Sequence, residues 1–120
     1  MDQTDRISWR TFVVYFALLA SVLISGVAFG QVEVVEFNAS FNATNGCPWV
    51  DELTDCEVTH VDILASPKLQ KKYKIVVVPT IIVFRDGEEE NRFQANIMMQ
   101  MEAKLEDIQE AVDNAVMSAF

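Results

Sequence analysis

Two cysteines, Cys47 and Cys56, and a single histidine, His60, are the residues of this 120-residue sequence best suited to chemistry. A cysteine pair suggests a disulfide, but Pro48 to Leu53 reads as a short helix. A rise of about 1.5 Å per residue over positions 48–54 then holds the two thiols more than about 10 Å apart, whereas a bridge needs Cα atoms within about 7 Å. One histidine and two cysteines do not make a zinc site, because no ligands cluster at metal-binding spacing, so no metal and no cofactor is expected. The serines have no histidine at a recognisable motif spacing, and nothing suggests a catalytic triad. Cys47 remains the one candidate catalytic residue.

The elements that must position these residues follow from patterning. Val32 to Phe37 is mostly apolar, as in a strand buried on both faces. Asn38 to Cys47 is a turn-rich loop. Pro48 suits the first turn of the short helix, with Cys47 at its cap. Val58 to Leu64 is a second strand. Ser66-Pro67 opens another helix, in which Leu69 and Tyr73 face the core. The β-branched run Ile75 to Phe84 is the strongest strand signal, but Pro79 interrupts it. The chain must therefore turn at Pro79, and the strand proper begins at Thr80. Asp86-Gly87 is a hairpin turn, with an antiparallel return from about Glu89 to Gln94. Ile97, Met101, Leu105, Ile108, Val112 and Val116 recur at helical spacing and predict one amphipathic helix, with Met98 and Met99 filling gaps in the packing. The order is β-α-β-α-β-β-α, an α/β fold with a mixed four-stranded sheet whose first two strands are parallel.

Residues 1–30 form a separate unit. Thr11 to Gly30 is an uncharged run of 20 residues, long enough to span a bilayer as a helix. It also suits the core of a signal peptide, with small residues at Ala28 and Gly30 before Gln31. Arg6 and Arg10 place the N-terminus on the cytoplasmic side, so residues 31–120 are expected to be extracytoplasmic: periplasmic, secreted, or held by the segment. The lack of a polar linker before Val32 favours cleavage. Any membrane contact is then limited to residues 7–30 of a retained leader. The leader's two acids and two bases cancel, and residues 31–120 keep 16 acids against 7 bases. A domain this acidic is a poor match for nucleic acid.

The stretch Lys72-Tyr73-Lys74-Ile75-Val76-Val77-Val78-Pro79-Thr80, followed by Ile81 to Phe84 and Arg85-Asp86-Gly87, resembles the thioredoxin pattern "KYGI..IPT…F..G". Val35-Glu36-Phe37-Asn38-Ala39-Ser40-Phe41 is similar to the family's "VDFWA.W" strand, and Val58 to Ile63 to its "V.VDVD" segment. The resemblance spans residues 32–117, without the family's usual first strand and first helix. It implies a thioredoxin-like fold with Pro79 after a cis bond. It also implies a groove for extended peptide around Phe41, Asn42, Trp49, Val78 and Pro79. Glu36 falls where the family keeps a buried carboxylate and His60 where it commonly has lysine, which predicts a buried Glu36–His60 ion pair.

The departure from the family is chemical. Asn42-Ala43-Thr44-Asn45 occupies the four positions of the Cys-x-x-Cys pair, and asparagine cannot attack a disulfide. The active site is degenerate in this register, and the first functional reading is a non-catalytic domain that binds an extended peptide or protein partner. In a second register Cys47-Pro48-Trp49-Val50 is similar to the glutaredoxin "CPYC" with one cysteine. Cys47 would then cap a helix whose N-terminus lowers the thiol pKa, giving a monothiol thiol-disulfide oxidoreductase. An accessory domain without a groove ligand is a third reading. Asn38-Ala39-Ser40 and Asn42-Ala43-Thr44 also match the N-glycosylation sequon, with Asn42 in a loop.

Overall fold

The computed structural model describes residues 31–118, and the apolar run from Thr11 to Gly30 lies outside them. Among the described residues no helix is long and apolar enough to cross a membrane. Four strands, β1 (Val32–Asn38), β2 (Glu57–Asp62), β3 (Thr80–Arg85) and β4 (Glu88–Gln94), form one sheet in the order β2-β1-β3-β4. β1 pairs parallel with β2 and antiparallel with β3, and β3 pairs antiparallel with β4. This is the mixed four-stranded sheet expected from the element order.

β1 is apolar on both faces because both are covered. Its even positions Val32 and Val34 join Ile81 and Val83 of β3 in one core. That core is closed by α2 (Leu105–Met117) through Ile108 and Val112, and by a 3₁₀ helix, Pro48–Glu52, through Val50. Odd positions Val35 and Phe37 join Ile82 and Phe84 on the other face, beneath Leu69 of α1 (Pro67–Lys72) and Tyr73 just after it. The Tyr73 ring meets Phe84 edge-on at 5.2 Å between centroids, a favoured aromatic geometry. α1 begins as its Ser-Pro signal implies, with Pro67 in the first turn after Ser66.

Two expectations change. The segment Asn38 to Cys47 is not a plain loop, since Ser40–Asn45 winds as a 3₁₀ helix. The final helix begins at Leu105, eight positions after Ile97. The reason is local: the Asn96 side-chain oxygen accepts the N–H groups of Met98 (2.8 Å) and Gln100 (3.1 Å). Met99 takes a φ of 59°, which no helix accommodates. Such side-chain bonds compete directly with the helical ladder. The helix starts only where Asp107 accepts the Lys104 N–H at 2.8 Å.

Ile97 and Ile108 therefore share a hydrophobic stripe in sequence but not in space: Ile97 is 97% exposed and Ile108 is 0% exposed. Ile108→Ala is expected to cost about 2–5 kcal/mol, and Ile97→Ala less than about 0.5 kcal/mol, in urea denaturation. Equal losses would restore the long helix.

Candidate functional site

A chain of polar contacts starts at Glu36, a buried carboxylate in the central strand. The β1–β2 register sets Glu36 opposite His60. Glu36 Oε1 lies 2.6 Å from His60 Nδ1, and Oε2 accepts the Cys47 N–H at 2.7 Å. His60 Nε2 in turn lies 2.7 Å from Asp51 Oδ1, on the 3₁₀ helix. Gly46 leaves room for the turn into Cys47, because a Cβ there would stand 3.2 Å from the Ala43 carbonyl oxygen and 3.3 Å from Asn38 Nδ2. The pairing expected from sequence is present, but it is a three-member bridge and not a buried pair, since the His60 side chain is 43% exposed. The hydrogen bond to Glu36 pushes the His60 pKa up to about 9; burial opposes the shift, and Asp51 adds to it. The imidazole thus holds its proton between two acidic side chains.

The same geometry disarms Cys47. Its side chain is buried, and its pKa is pushed up to about 12, first by burial and then by the charge of Glu36 and a hydrogen bond to it. This reverses the expectation of a thiolate at a helix N-terminus. The helix has five residues of 3₁₀ type, and an anion sits beside the sulfur. Cys56 is also free, with its pKa pushed up to about 11 by burial and by Asp55, Glu57 and Asp113. Among the described residues no group of three or more His, Cys, Asp and Glu is placed to hold a metal ion.

Asn42 makes the other constellation. It is buried, and its Nδ2 lies 3.3 Å from the Val78 carbonyl oxygen, 3.2 Å from that of Met99 and 3.2 Å from Asn38 Oδ1. Its Oδ1 accepts from Asn45 Nδ2 at 2.9 Å. One asparagine thus ties the first 3₁₀ helix to two other loops. The Val78–Pro79 peptide bond is cis. Asn42 is accordingly a latch and not a surface contact, and its amide has no room to carry a glycan.

Of the five residues assigned to a peptide groove, Phe41, Asn42, Val78 and Pro79 meet at this end of the sheet, but only Phe41 is exposed, at 67%. Val78 packs into one core and Trp49 against the other, on the opposite face, so Trp49 is a core cover. What sequence reasoning missed is Leu64, Val76, Ile97, Met98 and Met99, all exposed. The two methionines are not gap fillers. The only sequence signal was apolar residues beside turns, which is weak.

No protein-family model matches the chain, and neither does any curated protein. Solved structures do. A thioredoxin pre-protein of Schistosoma mansoni superposes with a TM-score of 0.60 at 22% identity, covering 80% of this chain and 88% of that one. Fasciola hepatica thioredoxin gives 0.57 at 21% identity, covering 82% and 92%. A Halobacterium salinarum thioredoxin mutant gives 0.57 at 19% identity, covering 72% and 75%. The fold is thioredoxin-like. On this thioredoxin-like scaffold, Asn42 follows Phe41 within the first 3₁₀ helix, and both cysteines lie outside that helix.

Two measurements test the site. The folded state raises the His60 pKa from about 6.5 to about 9, so it holds the proton more tightly than the unfolded chain. The bridge's stabilisation is full below about pH 6.5 and is lost as pH rises through about 9. Glu36→Gln should lower the His60 pKa in an NMR titration; an unchanged titration rejects the contact. Iodoacetamide at pH 8 should leave Cys47 unmodified in the folded chain, and rapid labelling would contradict its burial and raised pKa.

Proposed function

We propose that this chain is a non-catalytic thioredoxin-like binding module. An extended apolar segment of a protein partner docks at the sheet end that carries Phe41 and Val76. The observation behind the reading is where exposed apolar residues fall. Strand pairing brings the C-terminal ends of β1, β2 and β4 and the N-terminal end of β3 to one end of the sheet. Phe41, Leu64, Val76, Ile97, Met98 and Met99 all follow or precede those ends, and every one is exposed. A surface of this kind is costly to leave in water and is characteristic of an interaction site.

Backbone groups support an extended ligand. Val76, Val77 and Val78 precede β3, and among the described residues their N–H groups make no backbone hydrogen bond. Of these only Val76 is exposed, so its N–H is the donor offered to a strand laid alongside, with exposed apolar side chains nearby to supply selectivity. The neighbouring Val78 carbonyl is taken by Asn42, so donation from the Val76 N–H is the stronger means of engagement.

Catalysis is the weaker reading. Dithiol exchange needs one sulfur to attack and another to resolve, and the loop at the sheet end holds Asn42 and Asn45 instead. The monothiol route through Cys47 requires an accessible thiolate, and Cys47 is buried with a raised pKa. The setting we assign is extracytoplasmic, after export or on a tether, from the apolar run at Thr11 to Gly30.

The full chain should bind a short dye-labelled peptide alternating valine and threonine in fluorescence anisotropy. Phe41→Asp and Val76→Asp should each weaken binding at least about tenfold, or roughly 1.4 kcal/mol, without changing the melting temperature. In a disulfide-reduction assay the chain should not exceed the Cys47→Ser variant. Reduction lost in Cys47→Ser would establish the monothiol enzyme, and unaltered binding by both Asp variants would remove the docking site.

A further inference from the structure

Positive charge is confined in this acidic domain. Of the seven Lys and Arg residues in 31–120, four (Lys68, Lys71, Lys72 and Lys74) lie within seven consecutive positions, and no acid occurs between Asp62 and Asp86. α1 and the turn after it are therefore a basic ridge on a body that is otherwise strongly negative. Lys72 rests over the Tyr73 ring, 5.2 Å from its centroid. Lys68, Lys71 and Lys74 instead line an open groove of about 640 Å³ together with Pro67, Ile75 and Val76. Among the described residues none of these three lysines is in an ion pair. The groove is held in shape from below: Arg92 of β4 donates to the Tyr73 carbonyl at 2.7 Å and the Lys74 carbonyl at 3.2 Å, and Ile75 N–H donates to the Gln70 carbonyl at 2.9 Å.

Val76 joins the two surfaces. It lines the groove and also stands 78% exposed at the apolar sheet end. A segment that lies along Phe41 and Val76 and continues past Val76 enters the groove and meets the lysines. We infer that the docked partner segment is acidic on this side, setting apolar side chains over Phe41 and Val76 and carboxylates over Lys68, Lys71 and Lys74. The inference rests on the docking reading above and adds the partner's chemistry to it. Charge complementarity selects the occupant, because outside this ridge residues 31–120 set only Arg85, Arg92 and Lys104 against 16 acids, and the two arginines are paired with Glu90 and Glu89. Exposed charge pairs are individually weak, and three acting together correspond to about tenfold in affinity at low salt.

The test uses the full chain in zwitterionic nanodiscs, with three short dye-labelled peptides alternating valine with glutamate, threonine or lysine. The expected order of affinity is glutamate, threonine, lysine, with the glutamate peptide about tenfold tighter than the threonine peptide and the gap closing as salt is raised. The triple variant Lys68→Glu, Lys71→Glu, Lys74→Glu should reverse that order yet bind the threonine peptide as before. Equal affinity for the glutamate and threonine peptides, or a preference that survives the triple variant, overturns the acidic partner and leaves docking at the sheet end intact. Failure of all three peptides to bind removes the docking reading and this inference with it. Lysine-dependent binding of phosphatidylglycerol vesicles without any preference for the glutamate peptide assigns the ridge to anionic lipid and also overturns the proposal.

Discussion

The carboxylate of Glu36 is the constraint around which this end of the molecule is arranged. It lies in a strand covered on both faces, where an unsatisfied charge would cost several kcal/mol. Both oxygens are occupied: one faces His60, and the other accepts the Cys47 N–H. These bonds draw the 3₁₀ segment onto the sheet, and Val50 then enters the core. Asp51, carried on the same short helix, reaches back to the far side of the imidazole. Cys47, at the cap of that short helix, is thereby held beside a carboxylate that raises its thiol pKa.

That arrangement explains why a cysteine next to a helix start is chemically quiet. A helix N-terminus favours a thiolate only if its N–H groups face the sulfur and no anion competes. At Cys47 the N–H serves Glu36, and the carboxylate raises the thiol pKa along with burial. The loop before it is closed in a different currency: Asn42 uses an amide to join Val78 and Met99, linking segments that are far apart in the chain. Polar satisfaction inside and apolar exposure outside then meet at the same sheet end. The buried Asn42 amide joins the loops, and Phe41 and Val76 are left to face solvent.

Much of this was readable residue by residue. The apolar, β-branched content of Val32–Asn38 and Thr80–Arg85, the Asp86-Gly87 turn and the Ser66-Pro67 helix start carry their structure locally. Glu36 beside His60 was legible only through the family resemblance, and the register that sets them opposite each other came from the sheet. The extension of the last helix back to Ile97 was not: hydrophobic spacing persists there, but Asn96 bonds its own backbone neighbours instead. Exposure of Met98 and Met99 follows from that turn, and no periodicity could announce it.

By itself the sequence determined the order of elements, the turn forced at Pro79, the absence of a cysteine pair after Phe41 and the crowding of lysines in α1. These are properties of neighbours along the chain, and propensity or chemistry expresses them without distant partners. Only the tertiary structure decided that Cys47 is sealed beneath Glu36, that Asn42 is a latch, that Trp49 and Val78 stand on opposite faces, and that scattered apolar residues gather at one end. Each depends on contacts between separate elements of the chain, where burial and hydrogen-bond partners are set by the packing of the sheet and not by local spacing.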